Sequence, residues 1–137
     1  MQHTLSRHWL HSLAIAVLLA LAGMANAAAP LPPPGALSGE NALKLIRSQG
    51  RKLAIIDVRT PAEFDKGHLP GATLLPVQEL EQNLDKIPDG PVLLVCRTGR
   101  RAGDAFGIIR KARPGKENLW YLKGTPVYHS DGTYEFR

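Results

Sequence analysis

The sequence predicts an α/β fold in which a central, mostly parallel sheet is flanked by helices. Two short apolar runs, 53–58 and 92–95, have the continuous hydrophobic character of strands that are buried on both faces. Elsewhere apolar residues recur every three or four positions, as on the face of a helix that packs against a core. The run 92–95 leads through a short loop into such a helix, and in an open α/β sheet this is where ligands bind.

The composition fits one globular domain. The chain has 137 residues, of which 44% are hydrophobic, and a formal net charge of +5. Because the basic residues are spread along the chain with little aromatic interleaving, we expect no binding to nucleic acid. The moderate positive charge suits small anionic substrates.

The N-terminal segment 1–27 has the three parts of a secretory signal peptide. Arg7 gives a weakly positive start, an apolar run extends from Leu10 to Leu21, and small residues precede Ala27. The apolar run is shorter than the roughly 20 residues of a membrane-spanning helix, which disfavours an uncleaved anchor. We therefore expect cleavage after Ala27, no stable membrane insertion afterwards, and an exported protein that is periplasmic in a Gram-negative source.

A proline-rich stretch, 28–36, predicts an extended linker before a domain over 37–137. Ser38 is a suitable N-cap for a helix that ends at Gly50. The run 53–58 then predicts a parallel strand. Thr60 followed by proline predicts the start of a short helix that extends to Lys66.

The rest of the chain continues the alternation. The pattern predicts a turn over 67–71, a strand over 72–76, a helix over 77–84 and a turn over 88–91. Two further strands are predicted over 92–95 and 118–122. In the helix after residue 100, Gly103 and Gly107 share one face, and we expect them to allow a close approach to the sheet. Alternating aromatic residues around Asp131 and Gly132 predict a short β-hairpin, with an irregular tail as the alternative.

Cys96, the only cysteine in the chain, lies where the run 92–95 meets the loop. The thiolate is the nucleophilic form of cysteine, and helix N-termini and nearby cations stabilise it. Arg97, Arg100 and Arg101 follow closely, and Gly99 lets backbone N–H groups converge into an anion-binding nest. This pattern favours a reactive cysteine over a buried structural one. An exported chain with one cysteine forms no internal disulfide, so sulfur carried on Cys96 must leave to an external acceptor.

Three motifs along the chain resemble those of the rhodanese-like domain family. They are Asp57-Val58-Arg59 with the following Glu63-Phe64, then Gly67 to Ala72, and finally the six-residue loop Cys96 to Arg101. The resemblance covers residues 37–124 and implies a three-layer rhodanese-like fold and a single-domain sulfurtransferase. It makes Cys96 the catalytic residue, with substrate bound by Arg97, Thr98, Gly99, Arg100 and Arg101. The tail after Gly124 departs from the family pattern, which has two glycines and a tryptophan-bearing helix there.

The resemblance gives Asp57, Arg59 and His68 supporting roles. The alternatives are that Asp57 and Arg59 act in the active site and that His68 is a general base. We expect instead that Asp57 accepts hydrogen bonds from its loop, that Arg59 forms an ion pair near the pocket floor and that His68 locks a turn. We expect neither a cofactor nor a metal site, because the chain after residue 27 offers one cysteine and two distant histidines.

The implied reaction is a transfer of sulfur. Cys96 would take the outer sulfur of an anionic donor such as thiosulfate, form a persulfide and pass the sulfur to a thiol, to cyanide or to a protein acceptor. One alternative is a rhodanese-like module that binds a sulfur species or a partner protein without turnover. Another is a phosphatase or arsenate reductase of the C-x5-R type, which would need an arginine where the chain has Ala102.

Overall fold

The structure, a computed structural model, describes residues 30–137. The predicted signal peptide, 1–27, and the first residues of the predicted linker lie outside the described residues. Among residues 30–137, no helix combines the length and the apolar character that crossing a bilayer requires.

Five parallel strands form the central sheet, which confirms the predicted fold class. In chain order the strands are β1 (Gly35–Leu37), β2 (Ala54–Asp57), β3 (Thr73–Leu74), β4 (Val92–Val95) and β5 (Leu119–Leu122). Their order across the sheet is β1-β5-β4-β2-β3, and every neighbouring pair is parallel. The strand that precedes Cys96 is therefore central, and all four of its residues are buried.

Helices and a hairpin cover the two faces of this sheet. The α-helices are α1 (Gly39–Gln49), α2 (Pro61–Asp65) and α3 (Arg100–Ala112). Two 3₁₀ segments, Gly50–Lys52 and Val77–Lys86, lie between the strands. The predicted β-hairpin is confirmed: β6 (Pro126–Tyr128) pairs antiparallel with β7 (Tyr134–Phe136).

Alternation along β4 divides the core into two clusters. Val92, Leu94 and Cys96 point into the cluster that includes α3 and the 3₁₀ segment Val77–Lys86, whereas Leu93 and Val95 point into the cluster beneath α1 and the hairpin. The result is three layers, in which Cys96 ends the strand on the face covered by α3.

The first strand was not predicted. Gly35 and Ala36 lie in the stretch that the sequence marks as a proline-rich linker, yet they pair with Trp120 and Tyr121 of β5. The Trp120 indole N–H also donates to the carbonyls of Pro32 and Pro33, at 3.1 and 3.0 Å. The prolines at 32 and 33 and the strand residues at 35 and 36 are therefore built into the edge of the domain.

Two details of the helices differ from the prediction. The segment Val77–Lys86 is a 3₁₀ helix with a non-helical residue at Asn83, rather than an uninterrupted α-helix. The prediction for Gly107 is wrong, because a Cβ at that position would meet no heavy atom within 4 Å. Gly103 does allow a close approach, since its Cβ would lie 3.3 Å from the Tyr121 ring.

Candidate active site

The loop between β4 and α3 is held in place by one glycine. Gly99 is the N-cap of α3 and has a positive φ of 93°. A Cβ there would lie 2.8 Å from the carbonyl oxygen of Leu122 and 3.0 Å from the Cα of Lys123. Both the left-handed backbone and the contact with the end of β5 require glycine. This conformation turns the chain back over Cys96.

The sulfur of Cys96 lies where two backbone amides converge. Its Sγ accepts hydrogen bonds from the N–H of Gly99, at 3.1 Å, and from the N–H of Ala102, at 3.4 Å. Both donors belong to the N-terminus of α3, whose free N–H groups and dipole favour negative charge. The residue is only 1% exposed, so its sulfur meets this pair of donors away from bulk water. The amide of Ala102 lies outside the predicted set 97–101, although the unpaired N–H groups of any helix start could have indicated it.

The three loop arginines differ in their exposure and in their partners. Arg97, Thr98 and Arg100 are exposed, and among residues 30–137 neither Arg97 nor Arg100 has an acidic partner within ion-pair distance. Arg101 instead donates to both carboxylate oxygens of Glu63, at 2.7 and 2.8 Å. Arg97 and Arg100 are therefore the exposed cations of the loop, whereas Arg101 is anchored to α2 through Glu63.

Glu63 belongs to the first of the three family motifs, although the sequence did not indicate it as a site residue. Its Oε2 accepts hydrogen bonds from the backbone N–H and the hydroxyl of Thr60, at 3.1 and 3.0 Å, and so completes a capping box at the start of α2. The hydrogen bonds from Arg101, and to a lesser degree those from Thr60, hold the pKa of Glu63 far below its ordinary value. The same carboxylate raises the pKa of Arg101. Glu63 therefore ties α2 to the active-site loop.

Asp57 and Arg59 form a buried ion pair at the end of β2. Asp57 is fully buried and accepts from the Arg59 backbone N–H at 3.0 Å, from Nε at 2.9 Å and from Nη2 at 2.7 Å. Arg59 Nη2 also donates to the carbonyl of Gly67 at 2.7 Å. Although burial lowers the pKa of Arg59, the hydrogen bonds and charge of Asp57 outweigh it and raise that pKa. The pair lies beside β4, where Asp57 is in register with Val95, the residue before Cys96.

His68 lies in the turn that follows α2, away from the Cys96 sulfur contacts. Its Nδ1–H donates to the carbonyl of Phe64 at 2.9 Å, and its ring stacks on the Phe64 ring with centroids 3.7 Å apart. The side chain is exposed. These local contacts fix the turn, and the two hydrogen bonds to the Cys96 sulfur come from Gly99 and Ala102 rather than from this imidazole.

Tyr128, which the sequence did not indicate, reaches the Asp57–Arg59 ion pair from the hairpin. The guanidinium carbon of Arg59 lies 5.3 Å from the centroid of its ring, within the range of a cation–π contact. Its hydroxyl oxygen is buried and has no hydrogen-bond partner among residues 30–137. Burial raises the pKa of Tyr128 to about 12. A hairpin that departs from the expected family tail thus contributes an aromatic residue to the surroundings of the buried ion pair.

The chain matches a protein-family model over most of its described residues. Residues 40–135 match the model described as "Rhodanese-like domain". The chain is 44% identical over 78 residues to "Probable adenylyltransferase/sulfurtransferase MoeZ" of Mycobacterium tuberculosis, a match that covers 55% of this chain and 19% of that protein. It therefore spans about a fifth of the length of this much longer relative.

Shorter relatives match over more of their own length. The chain is 31% identical over 86 residues to a protein named "Sulfurtransferase" of Allochromatium vinosum, covering 57% of this chain and 80% of that protein. It is 33% identical over 57 residues to "Thiosulfate sulfurtransferase PspE" of Escherichia coli, covering 39% of this chain and 55% of that protein. Among solved structures, the human single-domain sulfurtransferase TSTD1 superposes with a TM-score of 0.54 at 25% identity, covering 66% of this chain and 89% of that one.

Proposed function

Since the chain belongs to the rhodanese-like domain family, several of whose members are named sulfurtransferases, we propose that it transfers sulfur through a persulfide on Cys96. The donor of this sulfane sulfur is thiosulfate or a similar small anion, and the acceptor is a thiophilic molecule. The observation that carries this proposal is the position of the Cys96 sulfur, which accepts hydrogen bonds from the amides of Gly99 and Ala102 at a helix N-terminus. Such donors stabilise an anionic sulfur, which is the form that attacks.

The first half-reaction is an exchange of one S–S bond for another. The Cys96 thiolate attacks the outer sulfur of thiosulfate, a new S–S bond forms on Cys96, and the S–S bond of thiosulfate breaks. Sulfite leaves as a dianion with the electron pair of the broken bond. The electron pair of the Cys96 thiolate forms the new bond, and the outer sulfur keeps the negative charge that it carried in thiosulfate. The persulfide is therefore anionic, and backbone amides beside it stabilise it.

The second half-reaction returns the enzyme to its starting form. Cyanide or a thiolate attacks the outer sulfur of the persulfide, the S–S bond to Cys96 breaks, and Cys96 leaves as a thiolate. The product is thiocyanate or the persulfide of the acceptor thiol. Because Cys96 is the only cysteine in the chain, no second thiol of this chain competes for the outer sulfur. The kinetics expected are ping-pong.

Exposed cations on and beside the Cys96 loop favour an anionic donor. Arg97 and Arg100 are exposed on the loop, and Lys123 is exposed directly after β5, which Gly99 contacts. Charges of one sign around a site raise the local concentration of the oppositely charged substrate, and this effect weakens with salt. Thiosulfate carries two negative charges and would be attracted by these cations. The named activity of the Escherichia coli relative supports the same donor.

Export completes the proposal. The segment 1–27 has the pattern of a cleaved signal peptide, so we propose that the protein works in the periplasm. Fractionation of a Gram-negative host that expresses the full chain tests this. Recovery of a shortened protein in the periplasmic fraction supports export, whereas full-length protein in the cytoplasm opposes it.

The central experiment combines mass measurement with turnover. Incubation of the purified protein with thiosulfate is expected to add the mass of one sulfur atom, and subsequent cyanide is expected to remove it as thiocyanate. Cys96→Ala is expected to lose both the adduct and turnover, whereas Lys111→Gln, an exposed change on α3 away from the loop, retains them. An unmodified wild-type protein that makes no thiocyanate would refute the proposal. Adduct without turnover would indicate a sulfur-binding module instead.

A further inference from the structure

An open cavity of about 300 Å³ lies beside the Cys96 loop, between the start of α3 and the end of β5. Gly99 belongs both to this cavity and to the sulfur site, because its N–H donates to the Cys96 Sγ at 3.1 Å. The cavity therefore begins one residue away from the reacting sulfur. Its volume lies at the lower end of the range for small organic ligands, and a compact ion such as thiosulfate fills only part of it.

An aromatic ring and a bare stretch of helix form one wall of this cavity. Gly103 of α3 has no side chain, and a Cβ there would lie 3.3 Å from the Tyr121 ring. Phe106, on the next turn of α3, packs on the same ring with the two centroids 5.4 Å apart. The ring of Tyr121 is therefore held in place and offers a fixed, uncharged surface to the carbon chain of a ligand.

Three charged side chains line the same cavity without an ion-pair partner. Arg100 and Lys123 are cations, Asp104 is an anion, and all three are exposed. Among residues 30–137, none of the three has an oppositely charged group within ion-pair distance. Exposure alone does not prevent pairing, since Lys44 and Glu40 on α1 form an exposed ion pair at 2.7 Å. The cavity thus presents two positive groups and one negative group to a ligand.

These charges fit a different ligand from the sulfur donor. Thiosulfate offers nothing to Asp104 except repulsion, whereas a ligand with carboxylates and an ammonium group has a partner for each charged side chain. In a ping-pong reaction, sulfite leaves before the acceptor binds, so Arg100 and Lys123 are free in the second half-reaction. The charge pattern and the size of the cavity therefore favour the acceptor as its occupant.

We propose that this cavity binds the charged tail of the sulfur acceptor, and that the acceptor is a small peptide thiol. Arg100 and Lys123 bind its carboxylates, Asp104 binds its ammonium group, and its carbon chain lies on Tyr121. This inference rests on the proposed function, because the acceptor reacts only with the persulfide on Cys96. The acceptor thiolate attacks the outer sulfur, the S–S bond to Cys96 breaks, Cys96 leaves as a thiolate, and the acceptor departs as an anionic persulfide.

The test follows the second half-reaction alone. Protein loaded with sulfur by thiosulfate and freed from excess donor is mixed with glutathione, a peptide thiol with two carboxylates and one ammonium group. Loss of the added sulfur is timed by intact-mass measurement. Lys123→Gln is expected to slow this loss about two- to fivefold at low salt, the effect of one exposed charge contact. Lys111→Gln makes the same change near the other end of α3 and is expected to leave the rate unchanged.

Asp104→Asn distinguishes a bound ammonium group from simple attraction of anions. Transfer to glutathione is expected to slow about twofold, because its ammonium group loses a partner. Transfer to 3-mercaptopropionate, which has a carboxylate and no ammonium group, is expected to become faster, because a repelling charge is removed. Asp85→Asn, an exposed change in the 3₁₀ segment Val77–Lys86, is the matched control and is expected to change neither rate.

The outcomes separate this inference from the function on which it rests. An unchanged rate with glutathione in Lys123→Gln, or a change of the same sign for both thiols in Asp104→Asn, would overturn the inference alone, because the persulfide has already formed. A wild-type protein that takes up no sulfur from thiosulfate would overturn the proposed function together with it.

Discussion

Arg101 grips both carboxylate oxygens of Glu63, with Nη1 2.7 Å from Oε2 and Nη2 2.8 Å from Oε1. The two residues are 38 positions apart, so this ion pair links the first turn of α3 to the first turn of α2. Because Ala102 donates to the Cys96 sulfur from the next position, the pair fixes the backbone that forms the sulfur site. This ion pair explains why Arg101 is partly buried, whereas Arg97 and Arg100, the other two arginines of the loop, are exposed.

Glu63→Gln is expected to weaken this link. Glutamine keeps a side-chain acceptor for the capping box but loses the charge, and for a pair with side chains 27% and 30% exposed we expect a loss of about 0.5–1 kcal/mol in unfolding free energy at neutral pH. Thermal or urea denaturation measures this loss. The rate of persulfide formation is expected to fall as well, because the amide of Ala102 is less firmly placed.

The pH dependence follows from the lowered pKa of Glu63. A carboxyl whose pKa is lower in the folded than in the unfolded state stabilises the fold above its unfolded value, about 4.3, and this contribution is lost as the pH falls below that value. The stability difference between the wild type and Glu63→Gln is therefore expected to shrink from pH 5 towards more acidic conditions. Glu117→Gln, in an exposed pair with Arg110, is the control and is expected to change little at any pH. A difference that is constant with pH would contradict this explanation.

Two glycine-to-alanine changes in and near α3 are expected to have opposite effects. Gly99→Ala places a Cβ 2.8 Å from the Leu122 carbonyl at a positive φ, so we expect a loss of about 1–3 kcal/mol in unfolding free energy. Sulfur transfer is expected to fall with it, since Gly99 N–H donates to Sγ. Gly107→Ala adds a methyl group in open space within the helix, and we expect a gain of about 0.5–1 kcal/mol with activity retained. Urea denaturation of both variants measures these changes. Equal changes in unfolding free energy would show that the contact at Gly99 does not restrict the residue type there.

Asp57→Asn is expected to be the most destabilising of these changes. It leaves the buried Arg59 guanidinium without its counter-charge, and removal of one partner of a buried ion pair costs about 3–5 kcal/mol. The double variant Asp57→Leu, Arg59→Met removes both charges and is expected to recover part of that loss. A single variant that unfolds at the wild-type urea midpoint would show that the pair contributes little to stability.

Tyrosine ionisation provides an optical test of the hairpin. Titration followed by tyrosinate absorbance is expected to show one tyrosine with a pKa of about 12, and Tyr128→Phe is expected to remove this step. Because the neutral form is favoured in the folded state, the wild type is expected to lose stability as the pH rises from about 10, the ordinary tyrosine value, towards 12. If Tyr128→Phe leaves the highest-pH step in place, the hydroxyl is not buried in solution.

Local signals predicted the parts of the fold that depend on neighbouring residues. The apolar run 92–95, the capping residues Ser38 and Thr60, and the Asp131-Gly132 turn each specify their element through contacts within a few positions. The first strand could not be predicted in this way. Its three residues follow four prolines, and it forms only because β5, more than 80 positions later, offers an open edge.

The candidate site divides along the same line. The Cys96 loop is contiguous, so its chemistry was visible in the sequence. The partners that long-range folding supplies were not: Glu63 comes to Arg101 from another helix, and Tyr128 comes to Arg59 from the hairpin. Since such contacts leave no periodic pattern, only the folded chain indicates which arginine is exposed to solvent and which is tied.

The hydrogen bonds from the Trp120 indole to the proline segment allow the first strand to be followed by tryptophan fluorescence. The chain has two tryptophans, and the other, Trp9, lies within the predicted signal peptide. After removal of that segment, all indole emission would come from one fully buried ring that holds the carbonyls of Pro32 and Pro33. A red shift in that emission would report the detachment of the first strand, so one dye-free signal could follow this edge of the domain.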